Sequence, residues 1–204
     1  MNFRLYDRLP QGITVDGRFF KCNFSFRNAL KMLDIMRRKD LQEDARVFHC
    51  VKCAVSHKIP SKMLPAVYDE LCNVLFGKAP ETDDKPRITS FEQDAPLIRA
   101  AFRQVYGIDL FRDELTWFEF TELLQGLPDG NRFEDVVSIR ARPLPAPTKY
   151  NAKERESLLK AKASVALHMT EEEQKTKYEK DVGKIFAGLF GMIPKEVNTD
   201  DGKQ

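Results

Sequence analysis

The chain is poor in the features that usually announce a membrane segment, a nucleic-acid partner or a catalytic centre. No stretch approaches the roughly 18 consecutive apolar residues of a membrane-crossing helix. The opening MNFRLYDRLP also lacks the apolar core that a secretory signal needs. Neither sign of charge prevails: 33 basic residues face 31 acidic ones, for a net +2. Nucleic-acid binders concentrate basic charge, and their domains commonly have a pI above about 9; the value here is about 8.3. No membrane and no nucleic-acid partner is therefore expected, and the expected compartment is a cytoplasm. There the four cysteines are expected to be thiols, because reducing compartments disfavour disulfides.

Histidine is scarcer still, with three in the chain. Two of them flank the one cluster with ligand-type residues: His49, Cys50, Cys53 and His57. On a continuous helix His49, Cys53 and His57 would fall at i, i+4 and i+8, sharing a face to which Cys72 could be added, and zinc takes such ligands tetrahedrally. The set is incomplete, because no second C-x₂-C and no paired histidines accompany it. Small buried cysteines packing a helical core are the expected state, with no metal and no other cofactor. A zinc-binding regulatory protein is the alternative reading. Asp109, Asp113, Glu114, Glu119 and Glu122 gather several carboxylates, but no histidine or ligand spacing joins them, so caps and solvated helix faces are expected. No catalytic residue, and no enzyme, is expected.

What the chain does have is aromatic and helical patterning. Its 15 phenylalanines supply large volumes to bury. Residues 13–21 form an expected β-hairpin: Ile13 to Val15 and Arg18 to Lys21 flank Asp16-Gly17, a pair suited to a type I′ turn. Helices are expected over 27–38, with Leu30, Met32, Leu33 and Met36 inward, over 41–56, and over 61–76 with Ser61 as cap and Gly77 as stop. Residues 78–89 carry two prolines and many polar groups, and read as a loop. A further helix has Ser90 as its cap, with Gln93 completing a capping box, a stripe of Leu97, Ile98, Ala101, Phe102, Val105 and Tyr106, and Gly107 as its end. The next is expected to start near Asp113 and to carry Trp117, Phe120, Leu123 and Leu124 up to Gly126 and Pro128. Asn131 is the expected cap of a short helix with Phe133, Val136, Val137 and Ile139. Trp117, the only tryptophan, is expected in the core, although tryptophan is also a common interface anchor.

The run Asp94, Ile98, Ala101-Phe102, Tyr106-Gly107-Ile108-Asp109-Leu110, Trp117, Phe120, Leu123-Leu124, Leu127 and Arg140, together with Leu9-Pro10, Val15-Asp16-Gly17 and Phe26-Arg27, resembles the bacteriophage gene-product-fifteen family. Where that family often has a histidine before the tryptophan and a second tryptophan after it, this chain has Thr116 and Phe118. The family brings no established chemistry. Its implied role comes from gene position beside the tape-measure protein in siphophage and prophage tail modules, where tail assembly chaperones are encoded. The resemblance thus implies a non-enzymatic tail assembly protein in the host bacterial cytoplasm, absent from the mature virion. Its implied partners are the tape-measure protein and the major tail protein, and it is expected to form a homo-oligomer. A structural component of the tail or of the head–tail connector is the alternative within the same class.

The expected fold is mainly α, with an N-terminal β-hairpin, a helical core and a helical C-terminal extension after a Pro-rich linker. The expected divisions are 1–140 for hairpin and core, 141–150 for the linker, 151–193 for the extension and 194–204 for a disordered tail. The linker follows from Pro143, Pro145 and Pro147, which cannot sit inside a helix. In the extension, Leu158, Ala161, Val165 and Met169 are expected on one helix face. Beyond it, Val182, Ile185, Phe186, Leu189, Phe190 and Ile193 keep helical spacing. This last stripe is the expected partner-binding segment, because Gly183, Gly188 and Gly191 weaken a free helix by ~1 kcal/mol each and favour ordering upon docking.

Overall fold

The computed structural model describes residue 4 and residues 6–77 and 88–168. Met1–Val165 forms one compact unit, and every element below belongs to it. Of the second unit, Ala166–Gln204, only residues 166–168 are described. The stripe from Val182 to Ile193, Met169 and the expected disordered tail lie outside the described residues, as does most of the loop expected at 78–89.

The chain opens with the expected hairpin, β1 (Gly12–Val15) and β2 (Arg18–Lys21), paired antiparallel with Ile13 opposite Phe20 and Thr14 opposite Phe19. Asp16 and Gly17 both have positive φ, 49° and 73°. That is the backbone of a type I′ turn, whose twist matches the strands it joins. Alternation puts Ile13, Val15 and Phe20 in the core and leaves Phe19 exposed. Helices follow: α1 (Phe26–Arg37), α2 (Glu43–Ala54), α3 (Leu64–Phe76), α4 (Ala95–Tyr106), α5 (Trp117–Gln125), α6 (Arg132–Ala141) and α7 (Ala152–Ser164). The protein is therefore mainly helical with an N-terminal two-stranded hairpin. α1 packs on α2, α2 on α3 and α3 on β1; α5 packs on α1 and α4, and α6 lies between α4 and α7.

α2 starts at Glu43 rather than at 41, and the starts of α5, α4 and α3 differ from expectation for local reasons. α5 begins at Trp117 rather than near Asp113, because Thr116 and Glu119 form the capping box: Glu119 N–H donates to Thr116 Oγ1 at 3.2 Å and Thr116 N–H to Glu119 Oε2 at 2.8 Å. At α4 the carboxylate that returns to the Ser90 N–H, at 2.9 Å, is Asp94, and the helix proper starts after it. Ser61 opens a 3₁₀ turn over Ser61–Met63, and α3 starts at Leu64 with Pro65 in its first turn. Two other punctuation marks act as expected. Asn131 Oδ1 accepts from Glu134 N–H at 3.1 Å, and Gly107 ends α4 in the left-handed conformation, φ 70°. The prolines keep residues 143–148 out of helix. The compact unit nevertheless continues past them to Val165, because α7 returns to α6 with Leu158, Ala161 and Val165 half-buried.

Candidate functional site

Two ends of the chain's distinctive sequence meet at the heads of α1 and α5. Helix N-termini leave backbone donors without partners. Here the segment leading into each helix supplies the other's acceptor: Phe26 N–H donates to Leu115 O at 3.1 Å and Trp117 N–H to Phe24 O at 2.7 Å. Around this junction Phe26 stacks on Phe120 with ring centroids 4.9 Å apart, and Phe120 stacks on Phe102 at 5.3 Å and on Trp117 at 5.8 Å. Trp117 is buried, as expected.

Several long polar side chains in these segments donate to backbone carbonyls far away in sequence. Trp117 Nε1 donates to Leu75 O at 2.7 Å and Tyr106 Oη to Leu123 O at 2.9 Å. Both carbonyls lie in the last turns of their helices, where no intrahelical donor remains. Arg27 Nη2 donates to Leu110 O and Asp113 O at 3.0 and 3.1 Å, while its Nη1 lies 2.9 Å from Glu114 Oε1.

Arg140 does the most. Its guanidinium grips Asp94 through two bonds, Nη1 to Oδ2 at 2.8 Å and Nη2 to Oδ1 at 2.9 Å. Nη1 also reaches Ile88 O at 3.1 Å, and Nε donates to Val165 O. The Asp94 side chain is 2% exposed and that of Arg140 is 11% exposed. This fork-to-fork geometry is the strongest form of the pair. It ties together the segment before α4, the end of α6 and the residue that follows α7.

Between α4 and α5 the chain makes a turn held by Asp109. Its carboxylate accepts from Phe111 N–H at 3.0 Å and from Arg103 at 2.7 Å, while its own N–H donates to Asp113 Oδ2 at 2.7 Å. The Phe111 N–H, and then Arg103, hold the Asp109 carboxyl below its ordinary pKa. The turn buries Leu110 and exposes Phe111. Within the acidic neighbourhood, Asp109 and Asp113 hold a turn, Glu119 completes a cap and Glu114 pairs with Arg27.

Beside this turn lies an apolar groove of about 190 Å³ between α1 and α4. Its lining includes Phe26, Leu30, Ile98, Leu110 and Phe120, together with Arg27, Arg99 and Phe111. Arg99 and Phe111 were not evident as site residues from sequence, because neither sits on a helical stripe. The only available signal was a phenylalanine next to buried Leu110 in a polar turn. A second, more polar recess of about 580 Å³ lies at the hairpin's exit, between Lys21–Ser25 and Glu114–Thr116.

The residues of the alternative zinc reading are not brought to one face. α2 ends at Ala54, so His57 lies off the helix, stacked on Phe20 at 5.7 Å. His49 is exposed, whereas Cys50 is fully buried with its thiol against Met32 O at 3.7 Å. Among the described residues no group of three or more His, Cys, Asp or Glu could hold a metal ion. All four cysteines are free thiols. Burial pushes the Cys22 and Cys50 thiols up to about 11. No described helix is long and apolar enough to cross a membrane.

These features define a helical packing domain whose distinctive residues are spent on closure of its own core. The family model described as Bacteriophage Gp15 protein matches residues 5–167. The chain belongs to that family and is a bacteriophage protein. No curated protein and no solved structure matches it.

Proposed function

We propose that the protein is a non-enzymatic tail assembly factor, a chaperone that covers the apolar stripes of the tape-measure protein until tube subunits replace it. The observation that carries this reading is membership of the phage family over residues 5–167, whose usual gene position is beside the tape measure. The disposition of its motif residues supports it: Asp94, Arg140, Trp117 and Tyr106 build the scaffold, and an apolar groove opens on its surface. A client that must be released calls for many modest contacts rather than one tight pocket. The protein would act in the host cytoplasm, as a homo-oligomer, and leave before the virion matures. A structural part of the tail or connector is the other reading in the same class. Quantitative protein composition of purified virions separates them: the chaperone is absent from particles, and a stoichiometric presence would replace this reading with the structural one.

A further inference from the structure

We infer that the groove between α1 and α4 seats an amphipathic helix of a partner, one that presents a large apolar side chain with carboxylates a turn away. The inference deepens the chaperone reading, on which it rests, by giving the client a docking surface.

Size comes first. An apolar cavity of roughly 150 Å³ accepts a benzene ring. The groove offers about 190 Å³, room for one aromatic or branched aliphatic side chain. α1 and α4 each supply part of its lining, with Phe120 of α5 and the Leu110–Phe111 turn, and a groove between helices is where an incoming helix lays its own apolar face. Construction of the mouth comes second. Phe111 is 71% exposed, and the Asp109 turn fixes its backbone, so little ordering entropy remains to be lost on contact. Charge comes third. Nearby arginines already have carboxylates: Arg27 has Glu114 at 2.9 Å, and Arg103 and Arg112 share Asp109 at 2.7 and 3.8 Å. Arg99 has none among the described residues. Its guanidinium lies over the Phe111 ring, 4.7 Å from the centroid. A cation at the rim of an apolar seat selects a ligand that brings its own carboxylate, and rejects one that brings a lysine.

The test uses the full chain and two labelled synthetic amphipathic helices, with the same leucine and phenylalanine face flanked by glutamates in one and lysines in the other. Fluorescence anisotropy should show the glutamate peptide binding about tenfold tighter or better. Arg99→Glu should abolish or invert that preference with an unchanged melting curve, and Leu30→Lys should weaken both peptides. Absence of binding, or binding indifferent to Arg99→Glu, overturns the inference. If neither peptide binds and Arg99→Glu instead changes the chain's own oligomeric state, the groove holds a second copy and the foreign helix is excluded. Capture of tape-measure protein by wild type and Arg99→Glu alike removes this seat and leaves the chaperone reading standing. Peptide binding at the groove without tape-measure capture removes the chaperone reading instead.

Discussion

Removing either half of the Asp94–Arg140 pair should be among the most damaging single changes in the protein. In Asp94→Leu the Arg140 guanidinium keeps the carbonyls of Ile88 and Val165 but loses both oxygens that neutralise it. The Ser90 N–H loses its acceptor as well. Breaking a buried pair by deleting one partner costs about 3–5 kcal/mol, since an uncompensated charge stays behind. A change of that size lowers the melting temperature by roughly 6–20 °C, at about 2–4 °C per kcal/mol for a domain of this length. Arg140→Met should cost a similar amount, because Asp94, at 2% exposure, is the more deeply buried charge. The double variant Asp94→Leu/Arg140→Met should recover much of the loss, as apolar replacements of buried pairs are often near neutral. Urea unfolding of the four proteins closes the double-mutant cycle. Single variants within about 1 kcal/mol of wild type would mean that water reaches the pair and that its worth is that of a surface bridge, refuting the reasoning.

Trp117→Ala should destabilise by about 3–5 kcal/mol through the cavity left among the rings. Trp117→Phe should cost about 1–3 kcal/mol, chiefly by orphaning the Leu75 carbonyl; a Trp117→Phe variant as stable as wild type in chemical denaturation would show that the indole N–H contributes nothing. Cys22 and Cys50, with folded pKa values raised to about 11, disfavour the thiolate in the folded state. Their contribution is fully present below the unfolded thiol value of about 8.5 and is lost as pH rises from there towards 11. Alkylation at pH 8 should therefore be slow in native protein and rapid in urea, and equal rates would contradict the burial. Asp109 is shifted the other way, so its contribution is present above the unfolded carboxyl value of about 3.9 and fades as pH falls below it. The gap in melting temperature between wild type and Asp109→Asn should narrow in acid, and a gap constant from pH 7 to pH 3 would contradict the assignment.

What the sequence made legible was what depends on neighbours along the chain. Asp16-Gly17 announces its turn because few other residues accept positive φ twice in succession, and Gly107 and Asn131 mark helix ends by equally local rules. The misplaced start of α5 shows the limit: Asp113 and Thr116 are both suitable caps, and the Phe24–Phe26 segment, lying against Leu115–Trp117 through two backbone hydrogen bonds, accompanies the choice. The same holds for Arg140. Its spacing says only that it ends a helix, since nothing local indicates that its partner is Asp94. The groove was hidden for a related reason. Leu30 and Ile98 read as ordinary stripe residues, and only the packing of α5 on both α1 and α4 brings them to one groove with Phe111 and Arg99. His57 failed as a helical ligand because α2 stops at Ala54, where no glycine or proline marks the end.

Co-expression of the tagged chain with the tape-measure protein of the same phage is the sharpest test of the chaperone reading. A tape measure that is insoluble or degraded alone should become soluble and co-purify with the chain. Tape-measure protein that stays insoluble, or stays soluble but unbound, in the presence of well-folded chain would contradict that reading.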